Sequence, residues 1–393
     1  MVEILTFGCK VNQYESQLIK ENIEMNENFK DGDIVVINSC CVTEKVERDV
    51  KKKIKKLLKE KKKVYLTGCL VEKNGIKDEI AGVKIIKKEE FFKYKNRISN
   101  FDSHTRAFIK IEDGCENFCS YCIIPYVRGN VRSRSQNDII DEINCLAERG
   151  YKEIVLTGID LGAYGKDIGT DLISLIEKIE RIGNVKRIRI SSIEIYYINE
   201  KLIDFLKFCE KFCPHFHIPL QSGSDRILNL MRRRYTFDDY YRKIEMIKEK
   251  IENVTFTTDI MIGFPGEKED DFEKTCNAVE KIEFLKLHIF PYSERENTPA
   301  TKFPEKIDER IKKERFKRLQ KIASLSSKKV KEKFIGKNLT VLFERKKEIF
   351  WEGYSGNYIP VIVNSQKDLK NQIVNVVPEK ILKDALFAKI EQK

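Results

Sequence analysis

At 393 residues, 41% hydrophobic and 10% aromatic, the chain can bury sizeable cores in two or three domains and is not disordered overall. No run approaches the roughly 20 apolar residues of a bilayer span, and the first residues enter a strand-like segment with no signal-peptide pattern. A membrane anchor or secretion is therefore not expected, and a cytoplasmic location is. The net charge of +12, from 74 Lys+Arg against 62 Asp+Glu, suits a polyanionic partner, but equally a Lys/Glu surface rich in ion pairs.

Residues 1 to about 95 alternate strand and helix. Strands are expected at 2–7, 33–38, 64–67 and 83–86, with helices at 12–25 and, Lys-rich, at 46–58. Such βαβα alternation predicts a parallel sheet covered by helices. From about 105 it restarts, with strands at 107–112, 153–157, 186–191, 215–220, 254–262 and 285–290. Helices follow at 138–149, 171–181, 199–212, 224–231, 238–251 and 269–282. Six β/α units predict an open, partial (β/α)6 barrel, although pattern alone does not separate a barrel from a flat sheet. A basic helix at 309–333 leads out. Strands at 339–343, 351–354, 358–363, 372–378 and 385–390 then predict a small antiparallel β-barrel of the kind that often binds oligonucleotides. The expected fold is α/β, with units at 1–100, 101–332 and 333–393.

Eleven cysteines, an odd number without a secretion signal, argue against a disulfide framework and for metal or redox chemistry. Cys115, Cys119 and Cys122 form a CxxxCxxC just after the first strand of the second unit. Three thiolates on one short loop can hold three irons of a [4Fe-4S] cube and leave the fourth open. A zinc site usually shows two paired CxxC sets, and no second pair is nearby. Cys9, Cys40 and Cys69 each follow a predicted strand of the N-terminal sheet. Ligands gather at the carboxyl ends of parallel strands, so these three should converge as a second cluster. Gly8 and Gly68 precede two of them and allow close backbone approach. Cys145, Cys209 and Cys276 read as small hydrophobes on apolar helix faces, and Cys213 has no ligand partners. Cys41, beside Cys40, is left open.

Further unusual residues fall at predicted strand ends of the second unit. Thr157, Gly158, Ser192, Glu194, Gln221, Asp259 and Gly263 are the candidate cofactor-binding residues of that rim, where α/β barrels build active sites. Any one of these runs can be an ordinary turn, Gly263-Phe-Pro-Gly266 especially. His217, one of four histidines, reads as a hydrogen-bonded structural residue rather than a base. Nothing resembles a hydrolytic triad or a P-loop.

The CxxxCxxC resembles that of radical S-adenosylmethionine enzymes, which implies S-adenosylmethionine bound at the open iron and cleaved to a 5′-deoxyadenosyl radical. Thr6-Phe-Gly-Cys9-Lys-Val-Asn12-Gln-Tyr-Glu15-Ser, Asn38-Ser-Cys40-Cys-Val-Thr43, Leu66-Thr-Gly-Cys69 and 115–129 resemble the methylthiotransferase family over essentially the whole chain. That resemblance implies an N-terminal methylthiotransferase domain, a radical barrel and a C-terminal TRAM domain. It also implies an auxiliary [4Fe-4S] cluster on Cys9, Cys40 and Cys69, with Cys41 where members often have Thr. Of the family's branches the chain is most similar to the one that acts on threonylcarbamoyladenosine 3′ of the tRNA anticodon. The runs that carry this are Gly8-Cys-Lys-Val-Asn-Gln-Tyr, Ile123-Ile-Pro-Tyr126-Val-Arg128-Gly129, Ile190-Ser-Ser-Ile-Glu194 and Phe290-Pro-Tyr-Ser-Glu-Arg295. The implied chemistry is hydrogen abstraction from C2 of the adenine, then sulfur delivery at the auxiliary cluster, with the methyl from a second S-adenosylmethionine. An electron donor such as flavodoxin or ferredoxin and a sulfur source are implied partners, with no membrane. Lys337, Arg345, Lys346 and Lys347 are candidate RNA contacts, or a solvated basic surface. The alternatives are isopentenyladenosine tRNA or a ribosomal-protein aspartate as substrate, and a non-catalytic iron–sulfur RNA-binding protein.

Overall fold

Ile34–Ser39 is buried at every position, as a parallel strand covered on both faces requires. In the computed structural model, which describes residues 2–26, 29, 33–72, 80–102 and 104–391, it is the second strand of a parallel sheet. The order is Val2–Thr6, Ile34–Ser39, Lys63–Gly68 and Lys84–Ile85. Helices Lys10–Glu24 and Glu44–Lys59 join these strands. The Thr43 hydroxyl caps the second helix by accepting from the Val46 N–H. Glu44 and Glu47 at its start, and Lys56 and Lys59 at its end, complement its dipole. From the first helix, Tyr14 and Leu18 enter the core of the following unit.

That unit holds six parallel strands. Arg106–Lys110, Glu153–Thr157 and Arg187–Ile190 pair in order, as do His215–His217, Thr255–Ile262 and Lys286–Pro291. Isolated parallel bridges, Ile188 with Phe212 and Ser192 with His217, stitch the two halves together. Among the described residues no pairing joins the sixth strand to the first.

Three expected elements are shorter than their patterns. The helix expected to reach residue 212 is Glu200–Phe208, because the backbone at Lys211 and Cys213 bonds to Ile188 instead. The fourth strand stops at His217, just ahead of Pro219, which has no N–H to offer a ladder. The first strand ends at Lys110, and Glu112–Asp113 turns away to pair antiparallel with Arg132–Ser133. This turn places the entry and exit of the Cys115 loop side by side.

The helix Glu309–Glu332 leads to a closed five-stranded barrel of Leu339–Lys347, Phe350–Ser355, Pro360–Asn364, Ile373–Leu382 and Ala385–Ile390. Four seams are antiparallel, but Pro360–Asn364 runs parallel to Ala385–Ile390. The small antiparallel barrel expected from the sequence is thus present, with one parallel seam for a geometric reason: an odd number of alternating strands cannot close without one. The barrel docks at the N-terminal strand ends of the central unit. Arg187 donates to the carbonyls of Thr340 and Tyr354 at 2.6 and 3.1 Å, and Arg106 pairs with Glu344 at 2.6 Å. Among the described residues no helix is long and apolar enough to cross a membrane.

Candidate functional site

The parallel register aligns Thr6 with Asn38 and Asn38 with Thr67, so Cys9, Cys40 and Cys69 leave one sheet edge together. A Cβ on Gly8 would lie 2.8 Å from Cys40 Cβ and 3.2 Å from its sulfur. The positive φ of Gly8 (+118°) and this contact both require glycine. Asn12 Nδ2 donates to the carbonyls of Phe7 and Ser39, each at 2.9 Å, tying two of the three cysteine loops together. Burial, and then the nearby Cys69 and Cys9 thiols, push Cys40 up to about 11. Cys69 falls to about 6, first because the Cys41 thiol donates to it and, against burial, because the Arg128 cation lies beside it. Cys41 is fully buried in the apolar core with Val35, Ile37 and Val50. Its thiol is hydrogen-bonded to Cys69, whereas Cys40 lies within electrostatic reach of both Cys69 and Cys9.

Cys115, Cys119 and Cys122 stand on a loop held at several points. Cys115 N–H donates to Gly129 O at 3.0 Å, Ser120 N–H to Met231 O at 3.1 Å, and Ala300 N–H to Ser120 O at 2.8 Å. A Cβ on Gly114 (φ +91°) would come within 2.0 Å of the Asn130 carbonyl, so the loop entrance requires glycine. Burial, followed by Cys119, pushes Cys122 up to about 12. Burial and then Asp160 push Cys115 higher still. Among the described residues no three His, Cys, Asp or Glu side chains close on a single-ion site. The thiols of each set instead lie within electrostatic reach of one another. Two sets of three thiols on glycine-opened backbone fit the donor chemistry of a [4Fe-4S] cluster with one open iron.

The candidate rim residues divide into groups. Asp160, one turn beyond Thr157 and Gly158, accepts from Asn117 and Tyr197 at 3.0 and 3.1 Å, with Cys115 at 3.9 Å. Gly158 is needed because a Cβ there would meet Glu112 Oε1 at 2.0 Å. Glu194 pairs with Arg233, whose Nη1 donates to the Cys119 sulfur at 3.4 Å. Glu194 thus sits beside the Cys119 loop, Thr157 ends its strand opposite Lys110 with its hydroxyl 3.5 Å from that of Ser191, and Ser192 bridges to His217. Gln221 holds a left-handed φ of 66° and a buried, unpaired Oε1. His217 donates or accepts at Thr257 Oγ1 (2.8 Å) and lies 3.3 Å from Asp259, in keeping with a structural role. Against burial, that histidine holds Asp259 below the usual carboxylate value. Gly263 is turned away from this group. Its N–H donates to Glu267 at 2.7 Å, Glu267 pairs with Arg315 of the exit helix, and a Cβ would strike Lys312.

The four candidate RNA contacts do not form one patch. Lys337 bonds to Asn253 at 3.1 Å near the start of the first barrel strand, whereas Arg345, Lys346 and Lys347 lie at its far end. Eight residues of strand span about 26 Å. Sequence reasoning assigned no role to Arg128, Arg233, Asp160 or Lys10. Only the runs around Cys9 and Cys122 could have signalled Lys10 and Arg128.

A model of the radical SAM superfamily matches residues 109–279, and one described as uncharacterized protein family UPF0004 matches residues 1–87. The chain is 37% identical to the threonylcarbamoyladenosine tRNA methylthiotransferase MtaB of Thermotoga maritima, over 87% of this chain and 86% of that protein. It is 35% identical to the MtaB of Bacillus subtilis, over 96% and 93%. It is also 35% identical to the tRNA-2-methylthio-N(6)-dimethylallyladenosine synthase of Acetivibrio thermocellus, over 94% and 87%. A solved structure of the radical S-adenosylmethionine methyltransferase TsrM from Kitasatospora setae matches with a TM-score of 0.52 at 12% identity, covering 76% of this chain and 74% of that one. That likeness concerns the fold alone.

Proposed function

Because this chain belongs to the radical S-adenosylmethionine methylthiotransferase family, we propose that it converts tRNA N6-threonylcarbamoyladenosine, 3′ of the anticodon, to its 2-methylthio derivative. The C2–H bond of the adenine is exchanged for C2–S–CH3. In this reading the six-stranded unit is the partial (β/α)6 radical barrel and the C-terminal barrel a TRAM domain. Two [4Fe-4S] clusters, held by Cys115, Cys119 and Cys122 and by Cys9, Cys40 and Cys69, would supply reductive cleavage of S-adenosylmethionine and a point of sulfur delivery. Around them, Arg233 and Glu194 orient Cys119, and Thr157, Gly158, Ser192 and Gln221 line the cofactor side of the rim. Phe118 and Tyr126, both exposed and 5.9 Å apart on and beside the Cys115 loop, offer faces on which unstacked loop bases can pack.

The observation that favours a threonylcarbamoyl over a dimethylallyl side chain is Lys10, directly after Cys9. It is half-buried, and no ion pair or hydrogen bond engages its ammonium among the described residues. Burial lowers its pKa; Tyr358 opposes this, while Arg106 and Arg189 add to it. Asp259 and His288 also feel its charge. A recessed cation that no carboxylate meets at ion-pair distance is costly. The threonylcarbamoyl group brings a carboxylate to it, whereas a dimethylallyl group would leave it bare. Nucleoside mass spectrometry of tRNA from a deletion strain tests the reading. Loss of 2-methylthio-N6-threonylcarbamoyladenosine alone, restored by the wild-type chain and poorly by Lys10→Gln, supports it. Loss of the dimethylallyl product instead would overturn it.

A further inference from the structure

Arg128 is buried, with its side chain 3% exposed, five residues beyond Ile123 at the end of the short helix Ile124–Arg128. Its guanidinium carries five N–H donors, and each has an acceptor. Nε donates to the Cys69 sulfur at 3.1 Å; Nη1 donates to Glu15 Oε1 at 3.1 Å and Asp113 Oδ1 at 2.8 Å; Nη2 donates to Asn12 Oδ1 at 2.9 Å and Glu15 Oε2 at 3.3 Å. These acceptors belong to both cysteine sites. Asn12 braces the loops of Cys9 and Cys40, and the Cys9 thiol donates to its Oδ1 at 3.7 Å. Asp113 stands two residues before Cys115, and Gly129, next to Arg128, accepts from the Cys115 N–H.

An ordinary buried ion pair that merely joins two domains would not need this arrangement. Glu15 already has Lys88 at 2.5 Å and Lys110 at 3.1 Å. Against burial, Lys110, Arg128 and Lys88 together hold it well below the usual carboxylate range. What Arg128 adds is an N–H on the Cys69 sulfur and bonds to Asn12 beside the auxiliary set and to Asp113 ahead of the radical loop. We infer that Arg128 is a positioning residue that clamps the auxiliary set to the radical loop, fixing their separation and placing a positive charge and an N–H donor on the Cys69 sulfur.

The inference rests on reading Cys9, Cys40 and Cys69 as cluster ligands. Hydrogen bonds and charge at a cluster sulfur raise its reduction potential, and loss of an outer-shell partner commonly costs about 10- to 100-fold in activity or metal affinity. The test uses Arg128→Lys and Arg128→Met in the full chain. The same changes are also made where Cys115, Cys119 and Cys122 are replaced by Ala, so that the auxiliary cluster is observed alone. The expected result is a more negative auxiliary potential in Arg128→Met and an altered electron paramagnetic resonance spectrum in both variants. In the full chain, the ratio of methylthio product to 5′-deoxyadenosine should fall at least about tenfold. Should Arg128→Met not fold, Arg128→Lys and Asp113→Asn carry the test, the latter loosening the clamp only from the radical-loop side. A wild-type spectrum, potential and product ratio in Arg128→Lys and Asp113→Asn would overturn the clamp. Full iron in a Cys9, Cys40 and Cys69→Ala variant would instead overturn the ligand reading on which it stands.

Discussion

The two cysteine sets differ in the charge around them. Near Cys115, Cys119 and Cys122 stand the carboxylates of Asp160 and Glu194 and the buried, protonated carboxyl of Glu112, with Arg233 as the nearby cation. At the sheet edge Cys69 meets a cation and a thiol donor, and the buried Glu15 behind it is surrounded by Lys88, Lys110 and Arg128. One set stands on a single loop pinned by backbone bonds, and the other is assembled from three strand ends by side-chain bridges. The difference teaches that the thiols of the first site are local in sequence, whereas those of the second are brought together only by the sheet. The auxiliary edge depends on partners from both units, so it is the more easily disturbed by substitutions far from any cysteine.

The largest effect should come from removing either set. Replacing Cys115, Cys119 and Cys122 by Ala should abolish both methylthio product and 5′-deoxyadenosine. The Cys9, Cys40 and Cys69 variant should abolish only the former, with both products followed by chromatography under anaerobic reduction. If both variants lose both products, the division of labour between the sites fails. Next, Phe118→Ala and Tyr126→Ala should each weaken tRNA affinity by about 1–3 kcal/mol; an unchanged dissociation constant would remove the aromatic platform from the radical side.

A pH dependence sharpens the electrostatic contrast. Burial pushes the Glu112 carboxyl from 4.5 up to about 8. Between those values the folded chain keeps a proton that the unfolded chain releases, so this group makes stability fall as pH rises through that window. Glu112→Gln should flatten the fall and raise stability at pH 8 relative to the wild-type chain, measured by urea unfolding at pH 5 and 8. An identical slope in the variant would contradict the assignment. The smallest effect is expected at Cys41. Cys41→Ala should lose about 1 kcal/mol of stability yet keep iron and turnover, whereas Cys40→Ala should lose the auxiliary cluster. Equal loss of iron in the two variants would undo the distinction between them.

Much of the fold was legible because its signals are local. Alternating runs located all six central strands, and the strand-end positions of Cys9, Cys40 and Cys69 follow from the parallel register. What was not legible depends on distance. Arg128 meets Cys69 59 residues away and Asn12 116 away, and no periodicity reports such a pairing. Cys40 and Cys41 are neighbours just beyond a strand, where the two-residue alternation no longer says which side chain faces the edge; packing against Val35 and Ile37 decides it. The parallel seam of the C-terminal barrel was missed because strand count, not residue pattern, imposes it.

The central claim is that one chain carries two separate clusters. It is tested most directly by iron quantification in the anaerobically reconstituted protein and its Cys9, Cys40 and Cys69→Ala variant. Two [4Fe-4S] sites predict about eight irons per chain falling to about four. About four in both proteins, or no loss in the variant, would contradict it.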